Sequence, residues 1–185
     1  MVLYSLVSAA TLTWVYFAFK AAPTADLPGT GQLGWIIATA LMIPALVLFA
    51  SSFAGNPALP APGAAAQAQS EPCGVFRVTR HPMMWSFAIW AASHIILFYS
   101  WRTMITAASM GVLALVGAHL QDRKKRTLMG GAWLTWESRT SFWPRLAKIF
   151  SVGLIWWALG LMLWLLLSWA HIPLGSVPAG IWLWF

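Results

Sequence analysis

Five long apolar runs dominate this 185-residue chain, and they contain almost no charged residues. Each run is long enough to cross the hydrocarbon core of a bilayer, which takes about 20 apolar residues in a helix. Helices are expected because lipid offers no partner to an unpaired backbone group, and the sequence shows no closed set of alternating strands. The sequence therefore predicts an all-α, polytopic helical bundle in a single membrane domain. The predicted spans are residues 2–19, 33–53, 83–99, 103–120 and 150–170.

The composition supports this interpretation, since 60% of the residues are hydrophobic and only 8% are charged. A water-soluble domain of this size needs more polar surface. The net charge of +7 does not indicate nucleic acid, because the basic residues lie in loops between the apolar runs. The single cysteine, Cys73, excludes an internal disulfide and a cluster of thiolate ligands. Lipid is thus the expected partner, and nucleic acid is not.

The distribution of basic residues predicts the orientation of the chain in a bacterial inner membrane. A cytoplasmic amino terminus places nine basic residues inside and leaves only Lys20 and Arg102 outside, as the positive-inside rule requires. The first run lacks a basic region before it and a small-residue cleavage motif after it, so we expect it to be retained. The inner residues are Arg77, Arg80, Arg123, Lys124, Lys125, Arg126, Arg139, Arg145 and Lys148.

Two loops and many tryptophans complete the predicted layout. The Pro/Ala/Gln-rich loop after the second run is expected to be an irregular linker without a site. Residues 121–149 alternate apolar and charged side chains, which predicts an amphipathic helix in the plane of the interface. The tryptophans near span ends are expected to be anchors, and those inside the last run suit packing against lipid, a pigment or another subunit. The alternating apolar residues are Leu128, Trp133, Leu134 and Trp136, and the deeper tryptophans are Trp156, Trp157 and Trp164.

Polar groups are costly inside lipid, so they are the first candidates for function. Counting back from the turn between the third and fourth runs puts His81 and His119 at about the same depth, near the cytoplasmic face. Arg80 and Asp122 lie beside them. This group is a candidate cofactor site, with His81 and His119 as candidate metal ligands. The structural alternative is a pair of helix-end histidines beside a simple ion pair.

Two further histidines are placed apart from that group. His94 lies 13 residues after His81, about 20 Å along a helix, so one metal ion cannot bind both. His94 is expected to have a functional role or an interhelical hydrogen bond, whereas His171, at an outer boundary, is expected to be structural. The sequence carries no P-loop, no GxGxxG and no Ser/His/Asp order, which removes hydrolase and kinase functions.

Three segments resemble the NnrU family and its relative, 15-cis-zeta-carotene isomerase. They are GVFRVTRHPMMWSFAIWAASH, HLQDRKKR and RTSFWP, and the resemblance covers residues 74–147. It implies a compact helical membrane protein; the isomerase relative uses histidine-bound haem b, and NnrU is associated with denitrification. A histidine that relatives carry in the first helix is absent here, which leaves His81 with His119, or one histidine alone, as haem ligands. The matching positions are Arg80, His81, His94, Asp122, Arg123 and Arg139, with His119 near a histidine of the isomerase pattern.

Two other functions stay open, and enzymatic activity itself is not decided by the sequence. The RHP segment is also similar to membrane methyltransferases that use S-adenosylmethionine, although Asp122 with Arg123 and the two methionines Met83 and Met84 depart from their pattern. The third hypothesis is a non-catalytic accessory subunit of a respiratory or photosynthetic complex. The missing first-helix histidine favours that hypothesis.

Overall fold

The computed structural model describes residues 2–185, apart from the side chain of Tyr4. Within these residues the chain forms seven α-helices and three short 3₁₀ helices, and it forms no strand. The α-helices are α1 (Val2–Ala21), α2 (Gly31–Ser51), α3 (Ala64–Gln69), α4 (Pro82–Leu97), α5 (Trp101–Met129), α6 (Gly131–Arg139) and α7 (Leu154–Gly175). The 3₁₀ helices span Gly74–Arg77, Leu146–Val152 and Gly180–Leu183. The all-α fold class is confirmed.

Three of the described helices, α2, α5 and α7, are long and apolar enough to cross a membrane. Helix α4 is equally apolar but has only 16 residues. Helix α1 has 20 residues and exposes most of its apolar side chains. A membrane-embedded helical protein is therefore supported, and the count of five spans stays a prediction.

Helix α2 lies at the centre of the bundle and packs against α4 and α7, while α4 also packs against α5. Small residues allow these close approaches, as is usual between helices in lipid. A Cβ atom on Gly160 of α7 would lie 2.6 Å from Val47 Cγ2 and 2.8 Å from the Val47 backbone nitrogen. On α5, a Cβ atom on Gly111 would lie 3.0 Å from Ala91 Cβ. The glycines thus set the spacing of the bundle.

Helices α4 and α5 form the predicted hairpin. Phe98 ends α4 in the left-handed region at φ 47°, and Ser100 caps α5 by accepting a hydrogen bond from the Thr103 backbone nitrogen. Because the two helices run antiparallel, the start of α4 and the end of α5 lie at the same end of the bundle. His81 and Asp122 are brought to this end.

Helix α5 extends beyond its predicted end at residue 120 and continues through the basic run to Met129. Helix α6 then turns back, and its two tryptophans, Trp133 and Trp136, are fully buried in the core against Phe76 and Val47. The helix in the plane of the membrane interface stays a prediction, but its two tryptophans face the protein core. An alternation with charged residues fits a core-facing helix face as well as an interfacial one.

The Pro/Ala/Gln-rich loop is also more ordered than predicted. It contains α3, and Pro57, Ala58 and Ala68 are buried. Lys125 Nζ donates to the Pro57 carbonyl at 3.0 Å, and Gln121 Nε2 donates to the Ala58 carbonyl at 3.3 Å. The expectation of an irregular linker was wrong, because polar side chains of α5 satisfy the loop carbonyls while its small residues fit closely against the core.

Candidate functional site

A buried cluster of charged side chains occupies the end of the bundle where α4 begins. Asp122 of α5, only 2% exposed, is its centre. Arg80 Nη2 lies 2.6 Å from Asp122 Oδ2, and Arg80 Nε lies 3.0 Å from the same oxygen. His81 Nε2 lies 2.8 Å from Asp122 Oδ1. A buried carboxylate needs such compensation, and here two neighbouring residues of one segment supply it.

The cluster continues outward through Glu137 of α6. Arg126 binds Glu137 through two hydrogen bonds, of 2.7 Å from Nε and 2.8 Å from Nη2. Arg80 Nη2 lies 3.5 Å from Glu137 Oε1 and so connects the two carboxylates. The two guanidinium groups alternate with the two carboxylates, so their charges balance.

Backbone hydrogen bonds join the TRH segment before α4 to the RTSFWP segment after α6. The Arg80 nitrogen donates to the Ser141 carbonyl at 2.9 Å, and the Arg145 nitrogen donates to the Val78 carbonyl at 2.9 Å. Thr79 Oγ1 donates to the Phe142 carbonyl at 2.8 Å. The two motifs that carry the family resemblance are therefore one structural unit, which holds Arg80 and His81 in place.

Phe142 closes this unit over the cluster. Its ring contacts the edge of His81, with centroids 5.4 Å apart, and the Arg80 guanidinium lies 5.5 Å from its centroid. Trp85 Nε1 donates to the Phe142 carbonyl at 2.7 Å. The ring therefore separates the buried pair of Arg80 and Asp122 from the surroundings.

One ring nitrogen of His81, Nδ1, lacks a hydrogen-bond partner in the part of the chain that the structure describes. An ionised carboxylate only accepts hydrogen bonds, so the Nε2 atom facing Asp122 carries the proton. Nδ1 is buried and has no hydrogen-bond partner among the described residues. His81 lines a cleft of about 250 Å³, including its open mouth, together with Met83, Met84 and Gln121.

The other predicted residues lie outside this cluster. His119 and Arg123 of α5 are exposed, and neither contacts His81 through a hydrogen bond or a ring contact in the described part of the chain. Arg139 donates to the Gln69 carbonyl at 2.8 Å and pairs with Glu71 at 3.2 Å, both near α3. Cofactor binding by His81 with His119 stays a prediction.

The opposite end of the bundle holds a second pair of polar groups, on α4 and α7. The rings of His94 and His171 have centroids 6.3 Å apart and planes inclined by 27°. Each Nδ1 lies beside a carbonyl one turn earlier, at 2.8 Å from Trp90 and at 2.7 Å from Leu167. Sequence reasoning left His94 without a partner and took His171 as structural. The available signal was that both histidines lie near the carboxyl ends of their helices.

These features define a helical membrane protein with a charge-balanced cluster at one end and a histidine pair at the other. A family model described as NnrU protein matches residues 1–179, so the chain belongs to the NnrU family. The predicted resemblance is confirmed, and the match extends well beyond residues 74–147. No curated protein and no solved structure matches the chain.

Proposed function

We propose that this NnrU-family chain is a membrane-bound b-type haem protein in which His94 and His171 hold the iron. Its role would be redox chemistry of the isomerase-like or nitrogen-oxide-linked kind that the family resemblance implies. The observation that supports the proposal is the histidine pair: two imidazoles from two helices, with rings 6.3 Å apart.

The hydrogen bonds of both imidazoles suit iron ligation. A carbonyl only accepts, so each Nδ1 carries a proton, and in the neutral imidazole each Nε2 keeps its lone pair. A hydrogen bond from the second ring nitrogen is the usual way to orient a metal-binding histidine. His94 and His171 would hold the iron through these lone pairs, with one ligand from α4 and one from α7.

The surroundings of the pair suit a large apolar group. The Trp90 ring lies 4.3 Å from the His94 ring, and His171 is exposed on the outer side of α7 beside the partly exposed Leu167 and Ile172. The exposed ring of His171 gives a large apolar ligand access to the pair from outside the bundle. When bound, haem supplies one-electron chemistry, while His94 and His171 hold it and the bundle keeps their helices in register.

The cytoplasmic-side cluster fits haem less well. His81 Nε2 is engaged by Asp122, and the cleft beside it encloses only about 20 Å³ apart from its open mouth, far below the roughly 300–1,000 Å³ of typical cofactor pockets. The cleft is too small for S-adenosylmethionine for the same reason. We therefore assign haem to the histidine pair and not to His81 with His119.

The exposure of α1 favours a second candidate, an accessory subunit of a larger membrane complex. Leu3, Leu12 and Trp14 of α1 are exposed. Arg102 holds the end of α1 by donating to the carbonyls of Phe19 and Ala22 at 3.0 and 2.9 Å. A helix attached in this way has a long apolar face available for another subunit or a pigment.

The test is the absorption spectrum of the detergent-purified chain, oxidised and then reduced with dithionite. A Soret band with reduced α and β bands, at about one haem per chain, supports the proposal. A featureless spectrum from folded protein after haem reconstitution would contradict it and favour the accessory-subunit function. Co-purification of the colourless chain with other membrane subunits would then be the expected result.

A further inference from the structure

We propose that the cleft beside His81 binds a soft monovalent metal ion of the Cu(I) class, through His81 Nδ1 and the thioether sulfurs of Met83 and Met84. This site is separate from the histidine pair at the other end of the bundle, and it does not depend on haem.

One ring nitrogen of His81 is free to bind a metal ion. His81 is 2% exposed, and its Nδ1 atom is buried without a hydrogen-bond partner among the described residues. Leaving a buried polar atom without a partner costs about 1–3 kcal/mol. In the neutral imidazole with its proton on Nε2 toward Asp122, Nδ1 presents a lone pair, and a lone pair is what a metal ion requires.

Two methionines line the cleft beside His81. Met83 and Met84 line it together with His81, and both are only half-buried. His81 is the N-cap of α4 and Pro82 is in its first turn, so one short segment carries all three groups. Thioether sulfur is a soft ligand that favours Cu(I), and imidazole nitrogen also binds copper.

The net charge of the proposed ligands favours a monovalent ion. His81 is neutral when Nε2 alone is protonated, and thioethers are neutral, so the three ligands offer no negative charge of their own. Arg80 beside them is compensated by Asp122 and Glu137. In the described residues no group of three His, Cys, Asp or Glu side chains is placed to hold a metal. A monovalent ion therefore suits the cleft better than a divalent one.

Asp122 would orient the metal-binding histidine. Metal-bound imidazoles commonly donate their second ring N–H to a carboxylate, and loss of that carboxylate typically weakens metal affinity 10- to 100-fold. The 2.8 Å contact between Asp122 Oδ1 and His81 Nε2 has this arrangement. Asp122 is thus a positioning residue for the proposed site.

The experiment is a Cu(I) titration of the full-length chain in detergent, against a chromogenic Cu(I) chelator under reducing conditions. All variants carry Cys73→Ser, because the exposed thiol of Cys73 would itself bind Cu(I). We expect one Cu(I) per chain. The double variant Met83→Leu/Met84→Leu should bind at least 10-fold more weakly, with an unchanged thermal unfolding midpoint. The matched control is Met110→Leu/Met162→Leu, which alters two partly exposed methionines on α5 and α7 and should bind like the parent.

X-ray absorption of the Cu(I)-loaded Cys73→Ser chain provides a second readout. We expect sulfur scatterers at roughly 2.3 Å and a nitrogen at roughly 2.0 Å, the distances typical of such ligands. Equal affinity in the double variant and its control would overturn the proposal, and so would a spectrum without sulfur neighbours. If His81→Gln binds Cu(I) as tightly as the parent, His81 is not a ligand and the site as proposed is wrong.

Discussion

The imidazoles of His94 and His171 lie 6.3 Å apart between ring centroids, and each is hydrogen-bonded through Nδ1 to a carbonyl on its own helix. The two side chains therefore share one local arrangement on two different helices. In both, Nε2 is the nitrogen left with a lone pair. A histidine that only forms a hydrogen bond within its own helix does not need a second histidine beside it. The pairing of the two rings is therefore the basis of the haem proposal.

Replacing Asp122 should destabilise the protein strongly. In Asp122→Ala, Arg80 and His81 lose their shared carboxylate, which lowers the free energy of unfolding by about 3–5 kcal/mol, the usual cost of breaking a buried pair. Thermal unfolding in detergent, followed by circular dichroism, measures the change. The control is Glu71→Ala, whose pair with Arg139 is largely exposed and should be worth only about 0–1 kcal/mol. Similar losses in the two variants would contradict this account of the cluster.

Closing the space at Gly160 should separate α7 from α2. A Cβ atom there would lie 2.8 Å from the backbone nitrogen of Val47, which cannot move without shifting α2. We expect Gly160→Ala to lower the free energy of unfolding by about 1–3 kcal/mol, as overpacking usually does. Gly117→Ala is the matched control, because nothing lies within 4 Å of its added Cβ. An equally stable Gly160→Ala variant would show that the two helices are not in close contact.

The orientation of the chain can be tested with its own cysteine. Cys73 is exposed and precedes the cluster at the predicted cytoplasmic end. A membrane-impermeant maleimide should therefore label it in inverted vesicles and not in right-side-out vesicles. In the variant Cys73→Ser/Ser176→Cys the pattern should reverse, since Ser176 follows α7 at the opposite end and is exposed. Labelling of Cys73 from outside would refute the predicted topology, in which α1 and α2 both cross the membrane and the amino terminus is cytoplasmic.

The sequence was sufficient to predict the cluster of Arg80, His81 and Asp122. A hairpin of two adjacent helices places residues by counting from the turn, and helix geometry makes that count reliable. The end of α5 was not predictable in this way. The basic run after residue 120 was predicted to belong to a separate helix in the plane of the interface, but Lys, Arg and Gln are good helix formers, and α5 itself continues to Met129.

Contacts between helices distant in the chain were not predictable from one sequence. The pairing of His94 with His171 depends on α2, which packs against both α4 and α7. Burial of Trp133 and Trp136 likewise depends on how α6 folds back onto the core. Periodicity identifies an apolar face but does not say whether lipid or protein covers it.

The most direct test of the proposed function is the reduced-minus-oxidised spectrum of four single variants, measured at equal protein concentration. If His94 and His171 hold the haem iron, His94→Ala and His171→Ala lose or shift the Soret and α bands, while His81→Ala and His119→Ala keep the parent spectrum whenever they fold. Loss of the spectrum in His81→Ala and His119→Ala, with His171→Ala unchanged, would contradict the account and favour the cytoplasmic-side pair instead.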